Sequence, residues 1–280
     1  MKKILQRLLV FVIGLPLIAG IILFLPQLNH LALNIVIIIF SALGALEFAS
    51  ILKPKGMSVH PAEAAILGAL APAVTTVQIS LGKDPAFSII FILGALWLLA
   101  SRVFSPEEKL KDYTEKTVAG FSLMLYPGLF LACLVRMSGL PRAQMVILVF
   151  LLIVFANDSA AWAAGMLFGR GNRGLIPASP NKSAAGFIGG VCASILIGAG
   201  AETLIGTVFA SRLPPLGGII TGLCTGIAAN LGDLAESAMK RSSGIKDSGT
   251  LIPGRGGVLD CIDSISLAAP VFYILYRAIF

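Results

Sequence analysis

Charge is scarce in this sequence. Lysine, arginine, aspartate and glutamate together make up 12% of its 280 residues, against 57% hydrophobic ones. A water-soluble domain of this length needs far more polar side chain to cover its surface, so that class is excluded. Histidine is nearly absent: His30 and His60 are the two in the chain, far apart and near predicted helix ends, where they read as interfacial polar residues. The four cysteines, Cys133, Cys192, Cys224 and Cys261, have no paired metal-ligand spacing, which argues against a zinc site and leaves them as small apolar filler. No Gly-x4-Gly-Lys-Ser/Thr string occurs, so a Walker-type phosphate loop is excluded. No internal repeat is visible either, which weakens a transporter built from inverted halves.

What the chain has instead is length of apolar run, with a mean hydropathy of +0.93. Crossing a bilayer takes roughly 20 apolar residues per helix. Nine stretches qualify: 8–26, 29–52, 61–82, 86–104, 116–136, 144–168, 184–209, 214–238 and 263–280. The expected fold is therefore all-α, a polytopic integral membrane protein with about nine transmembrane helices. The first stretch follows Lys2, Lys3 and Arg7 but shows no small-residue cleavage site, so it reads as a retained helix. The spans divide into an N-terminal group of about five, 1–143, and a C-terminal group of about four, 144–280, which carries the chemistry.

Alternating through nine spans from a cytoplasmic N-terminus puts sixteen of the 21 basic residues inside, leaving Lys83, Arg136, Arg142, Arg212 and Arg277 outside. That asymmetry predicts a cytoplasmic N-terminus and an outside C-terminus in a bacterial-type inner membrane. The net charge of +7 is then an orientation signal and calls for no nucleic-acid partner.

The charge that exists is unevenly placed. Asp233, Glu236, Lys240, Arg241, Lys246, Asp247, Arg255, Asp260 and Asp263 crowd positions 233–263. Ionisable groups beside a bilayer are costly and mark functional sites. The first five spans carry little of this, the exception being Glu47 in the second, which is a functional candidate or a residue reaching interfacial water. The mixed-charge run at 105–116 has the spacing of a solvated surface helix. Glycines recurring every fourth residue (Gly165 and Gly169; Gly186 and Gly190; Gly218, Gly222 and Gly226) read as close helix packing and are compatible with a homodimer.

Three constellations stand out. In 232–241, Asp233, Glu236, Ser237 and Lys240 share one helix face, either as a structural ionic stripe or as carboxylates around a cation. In 240–264, a glycine-rich loop interleaves Lys240, Arg241, Lys246 and Arg255, and Asp260 and Asp263 follow one turn apart on a helix. Acids converging there with Asp233, beside phosphate-binding cations, describe a Mg²⁺–nucleotide site; a merely solvated loop is the alternative. In 157–190, Asp158 lies within a span, while Ser179, Asn181, Lys182 and Ser183 precede the next helix, either as a phosphate seat or with Ser183 as a simple N-cap.

These residues resemble the signature of the phosphatidate cytidylyltransferases, or CDP-diacylglycerol synthases. The matching positions are Ser237, Lys240, Arg241, Lys246, Asp247, Gly249, Ile252, Pro253, Gly256, Gly257, Asp260 and Asp263, with the Ser179–Ser183 string and Asn157-Asp158-Ser159 upstream. Two positions depart: Arg255 stands where the pattern has His, and Cys261 where it has Arg between the acids. The resemblance implies a membrane enzyme joining CTP and phosphatidate into CDP-diacylglycerol and pyrophosphate, with membrane lipid as its surroundings. On that reading Asp233, Asp260 and Asp263 hold Mg²⁺, with room for a second cation such as K⁺, while Lys240, Arg241, Lys246 and Asp247 act at the reacting phosphates. Asp158, Ser179, Lys182 and Arg255 then line the substrate pocket. A lipid-phosphate transporter or flippase, and a CTP-using enzyme with another lipid acceptor, are the rival readings.

Overall fold

The computed structural model describes residues 2–83, 87–101, 103, 107–174, 176–204 and 216–280. Arg102, Ser105, Pro106, Leu175 and Arg212, all used in the sequence reading, lie outside them, as do the expected span ends at 205–209 and 214–215. The chain is an all-α polytopic membrane protein, and among the described residues there is no β-strand. Its helices are α1 (Lys2–Phe24), α2 (Gln27–Leu52), α3 (Pro61–Ser80), α4 (Phe87–Ala100), α5 (Glu107–Leu110) and α6 (Tyr113–Leu123). They continue with α7 (Phe130–Met137), α8 (Ala143–Phe168), α9 (Ala184–Leu204), α10 (Leu216–Ser242) and α11 (Leu259–Ile279). A π-helical turn, Met124–Leu129, joins α6 to α7 into one span.

Seven helical segments among the described residues are long and apolar enough to cross a membrane, not the nine expected. The other two expected spans fall on α1, which is 23 residues long, and on the apolar stretch Ile89–Ala100 of α4. The 14 residues of α4 rise only about 21 Å, short of a hydrocarbon core of about 30 Å. The surface helix expected over 105–116 is also interrupted: α5 ends at Leu110, and α6 starts at Tyr113 with Asp112 pairing Lys116 at 3.4 Å.

Two units make up the chain. The first contains Met1–Gly139 and Ser242–Ile262; the second contains Leu140–Arg241 and Asp263–Phe280. In the first, three successive residues of α2, Leu28, Asn29 and His30, have φ of 52°, 54° and 59°. Such a left-handed run is costly for side chains with a Cβ, and it is held by polar contacts. Asn34 donates to the Asn29 carbonyl and to the Ser138 hydroxyl, both at 3.1 Å. Proline shapes the rest. Pro72 inside α3 has no N–H to give the Gly68 carbonyl one turn back, and the buried Ser41 hydroxyl of α2 donates to it at 2.7 Å. The same hydroxyl stands 2.5 Å from the Pro127 carbonyl of the π-turn, so its one proton is shared between two carbonyls.

In the second unit, small residues set the spacing of the helices. A Cβ on Gly218 or Gly222 of α10 would strike backbone of α9, and one on Gly186 of α9 would lie 2.7 Å from the Ala161 carbonyl of α8. The four-residue glycine spacing therefore serves close packing. Between these helices the Asn157 and Asn230 amides bond reciprocally at 3.2 and 3.3 Å, and Ser194 adds a bond to Asn157 at 3.3 Å.

Candidate active site

In the second unit α10 and α11 cross with their backbones touching. A Cβ on Gly232 would collide with the carbonyl of Asp263 and lie 3.1 Å from the Ser264 Cα. Only glycine allows so close a crossing, and it sets Asp233, the next residue of α10, beside Asp263 of α11. The Asp263 carboxyl is buried, 8% exposed, and experiences the charges of Asp233, Glu236 and Asp158. The sequence reading expected Asp233, Asp260 and Asp263 to converge; the crossing sets Asp233 beside Asp263.

Two lysines answer this acidic group. Lys182, in the connection between α8 and α9, reaches Asp233 at 2.6 Å. Its loop is tied down by the Arg173–Ser183 bridge, by the Lys182 amide donating to the Ser179 carbonyl at 3.1 Å, and by the Ala184 amide donating to Asn172 at 3.1 Å. Ser183 caps α9, its hydroxyl accepting from the Gly186 amide at 3.0 Å. One turn along α10, Lys240 pairs with Glu236; the glutamate is fully buried and the lysine 8% exposed. Arg241 beside it is exposed.

The remaining expected residues belong to the first unit. Lys246, Asp247 and Arg255 are exposed on the glycine-rich connection between α10 and α11. Asp260 lies in the first turn of α11, and its Oδ2 accepts from the Ser248 amide (3.0 Å), the Ser248 hydroxyl (2.8 Å) and the Gly257 amide (2.7 Å). That oxygen organises the connection. Ser248, buried between the charged residues of the motif, was not singled out by the sequence reading; its place directly after Lys246-Asp247 was the available signal.

A family model described as the cytidylyltransferase family matches residues 5–279. The chain belongs to that family. A phosphatidate cytidylyltransferase of Haemophilus influenzae is 37% identical over 200 residues, covering 69% of this chain and 58% of that protein. One of Synechocystis sp. is 39% identical over 137 residues, 49% of this chain and 44% of that protein. One of Brucella suis biovar 1 is 37% identical over 221 residues, 72% of this chain and 78% of that protein. The chain thus spans little more than half the length of the first relative and less than half of the second.

For this cytidylyltransferase-family chain, the fit of a divalent cation rests on donor chemistry. Among the described residues no group of three or more His, Cys, Asp or Glu converges to hold a metal ion. Mg²⁺ does not require one, since it is commonly bound by one or two carboxylates together with substrate phosphates and water. Hard carboxylate oxygens from Asp233 and Asp263, with Asp158 near, suit that pattern.

Proposed function

We propose that this chain transfers a cytidylyl group from CTP to phosphatidate, giving CDP-diacylglycerol and pyrophosphate, with Mg²⁺ and at the cytoplasmic membrane face. The observation that carries this reading is the Gly232–Asp263 crossing, which gathers acids at one end of membrane-spanning helices. Family membership and the names of the relatives support the reaction. The excess of lysine and arginine in the expected inside connections supports the side.

In the reaction an oxygen of the lipid phosphate attacks the α-phosphorus of CTP. The bond from that phosphorus to the bridging oxygen of the β-phosphate breaks, and pyrophosphate carries the electron pair away. Mg²⁺, when bound, neutralises charge on the phosphate oxygens. Asp233 and Asp263 would hold it. Lys182 stands 2.6 Å from Asp233 and can exchange that carboxylate for a phosphate oxygen. The exposed guanidinium of Arg241 suits phosphate oxygens by charge and access, as do, on the connection of the first unit, the exposed ammonium of Lys246 and guanidinium of Arg255. Such transfers ask little covalent work of a protein, since positioning and charge neutralisation supply most of the rate.

The test incubates detergent-solubilised protein with labelled CTP, Mg²⁺ and phosphatidate, and separates lipid from pyrophosphate. Labelled lipid that disappears with a chelator and returns with Mg²⁺ is the expected result. Turnover with another lipid acceptor alone would replace phosphatidate as substrate. No turnover with any lipid would reject the enzyme reading and favour transport.

A further inference from the structure

Glu47 lies near the C-terminal end of α2, about two hundred positions before the motif, yet its carboxylate is spent on the motif. Its Oε1 accepts from the Val258 amide at 3.0 Å. Its Oε2 accepts from the Leu259 amide at 2.8 Å and from the Ser248 hydroxyl at 3.0 Å. Val258 and Leu259 open α11, so Glu47 supplies in trans the acceptor that a helix start ordinarily takes from its own N-cap. A carboxylate also suits the positive end of the helix dipole. One turn further along α2, the Ile51 carbonyl accepts from the Ser243 hydroxyl at 2.7 Å. The end of α2 therefore grips both ends of the connection 243–259.

The glycines of the motif follow from this grip. A Cβ on Gly249 or on Gly257 would run into the Glu47 carboxylate. Gly256 has φ +113°, and a Cβ there would lie 2.5 Å from Asp260 Oδ2. The Ser248 hydroxyl has one proton and stands within bonding distance of both Glu47 Oε2 (3.0 Å) and Asp260 Oδ2 (2.8 Å), so it joins the two carboxylates. Between the fixed ends, Ile252 and Gly256 exchange backbone bonds at 2.9 and 3.1 Å, and this tight turn holds Arg255 out in the open.

We infer that Glu47 is a positioning residue for the proposed cytidylyl transfer: it fixes the loop 243–259 so that Lys246 and Arg255 are presented in one arrangement to the phosphates of the nucleotide. The inference rests on that functional reading for its catalytic part and on the hydrogen bonds alone for its structural part. Glu47 touches no substrate in this account. Its effect passes through Ser248 and the first amides of α11.

The experiment uses the full chain in detergent, as wild type, Glu47→Ala, Glu47→Gln, Glu47→Asp and Ser248→Ala. It measures amide hydrogen exchange over 244–262, the melting temperature, and kcat and KM for CTP. Glu47→Ala should lose exchange protection at Val258 and Leu259 and fall about 100-fold in kcat/KM, the scale set by misplacing reactive groups by about 1 Å. Glu47→Gln, keeping one acceptor oxygen, should recover about tenfold of that loss; Glu47→Asp, one methylene short, should not. Ser248→Ala should fall between, and it stands in for Glu47→Ala if that variant does not fold. Unchanged exchange at Val258 and Leu259 in Glu47→Ala overturns the clamp even if turnover is normal. Wild-type kcat/KM in a variant that has lost this protection overturns its catalytic role. A wild type that labels no lipid acceptor rejects the function proposed above, while the exchange data still decide the clamp.

Discussion

The two polar regions of this chain hold their carboxylates by different means. In the first unit Glu47 and Asp260 are bonded by backbone amides and one serine hydroxyl. In the second, Asp233 and Glu236 are matched by Lys182 and Lys240. Amides belong to the backbone, so carboxylates held by them fix the course of the chain. A lysine on a flexible stem can leave one oxygen for another without the backbone moving. The first arrangement suits a scaffold; the second suits a place where anions arrive and depart. Asp260 and Asp263, one turn apart on α11, fall on opposite sides of this divide: one organises a loop, the other lies among acids.

The comparison breaks most sharply at Asp263. Asp263→Asn should reduce Mg²⁺-dependent CDP-lipid formation to background, whereas Asp260→Asn, which can still accept from Ser248 and Gly257, should retain measurable turnover. Equal rates in the two variants, compared in the labelled-CTP assay, would mean that the two acids do the same work. Next in size is Gly232→Val. Its side chain would push against the Asp263 carbonyl and part the α10–α11 crossing, so kcat/KM should drop about 100-fold even though every acid remains. Wild-type kinetics in that variant would detach the crossing from catalysis.

Much of the second region was legible in the sequence because its partners are local or periodic. Asp233, Glu236 and Lys240 fall on one face by helical spacing, and the four-residue glycine repeats announced close helix contact. The first region was far less legible. Glu47 stood out as a lone charge in a span, but nothing near it in sequence names Ser248, Val258 or Leu259 as partners, for pattern encodes period and not long-range pairing. The left-handed run Leu28–His30 was hidden for a related reason: its residue types are ordinary in helices, and the contacts that hold it come through Asn34 and Ser138.

Lys240 tests whether an ion pair in the second region is as structural as the hydrogen bonds of the first. Glu236 is wholly buried, so Lys240→Ala would take away a counterion of its charge and should cost about 3 kcal/mol of stability in detergent. The double variant Lys240→Met, Glu236→Leu should recover most of that loss, because it removes both charges and keeps their volume. If Lys240 also serves phosphate, the double variant will regain its melting temperature but not its KM for CTP. Full recovery of both would confine Lys240 to a structural role.

The smallest effect belongs to Lys182. Its pair with Asp233 is partly exposed, with side chains 30% and 39% accessible, so removing it should barely move the melting temperature. Turnover should respond more than stability, because the same ammonium is proposed to meet a phosphate. Lys182→Ala should raise KM for CTP about tenfold, the lower end of a lost charge-assisted bond of about 1.5 kcal/mol, with little change in kcat. Screening supplies the control. Raising salt toward 1 M shortens the Debye length to about 3 Å, so KM of the wild type should climb toward that of Lys182→Ala. Exchange protection at Val258 and Leu259, held by hydrogen bonds to the Glu47 carboxylate, should not change over the same range. A loop that loosens with salt as fast as KM rises would show that both regions rest on the same electrostatics, and the contrast between them would fail.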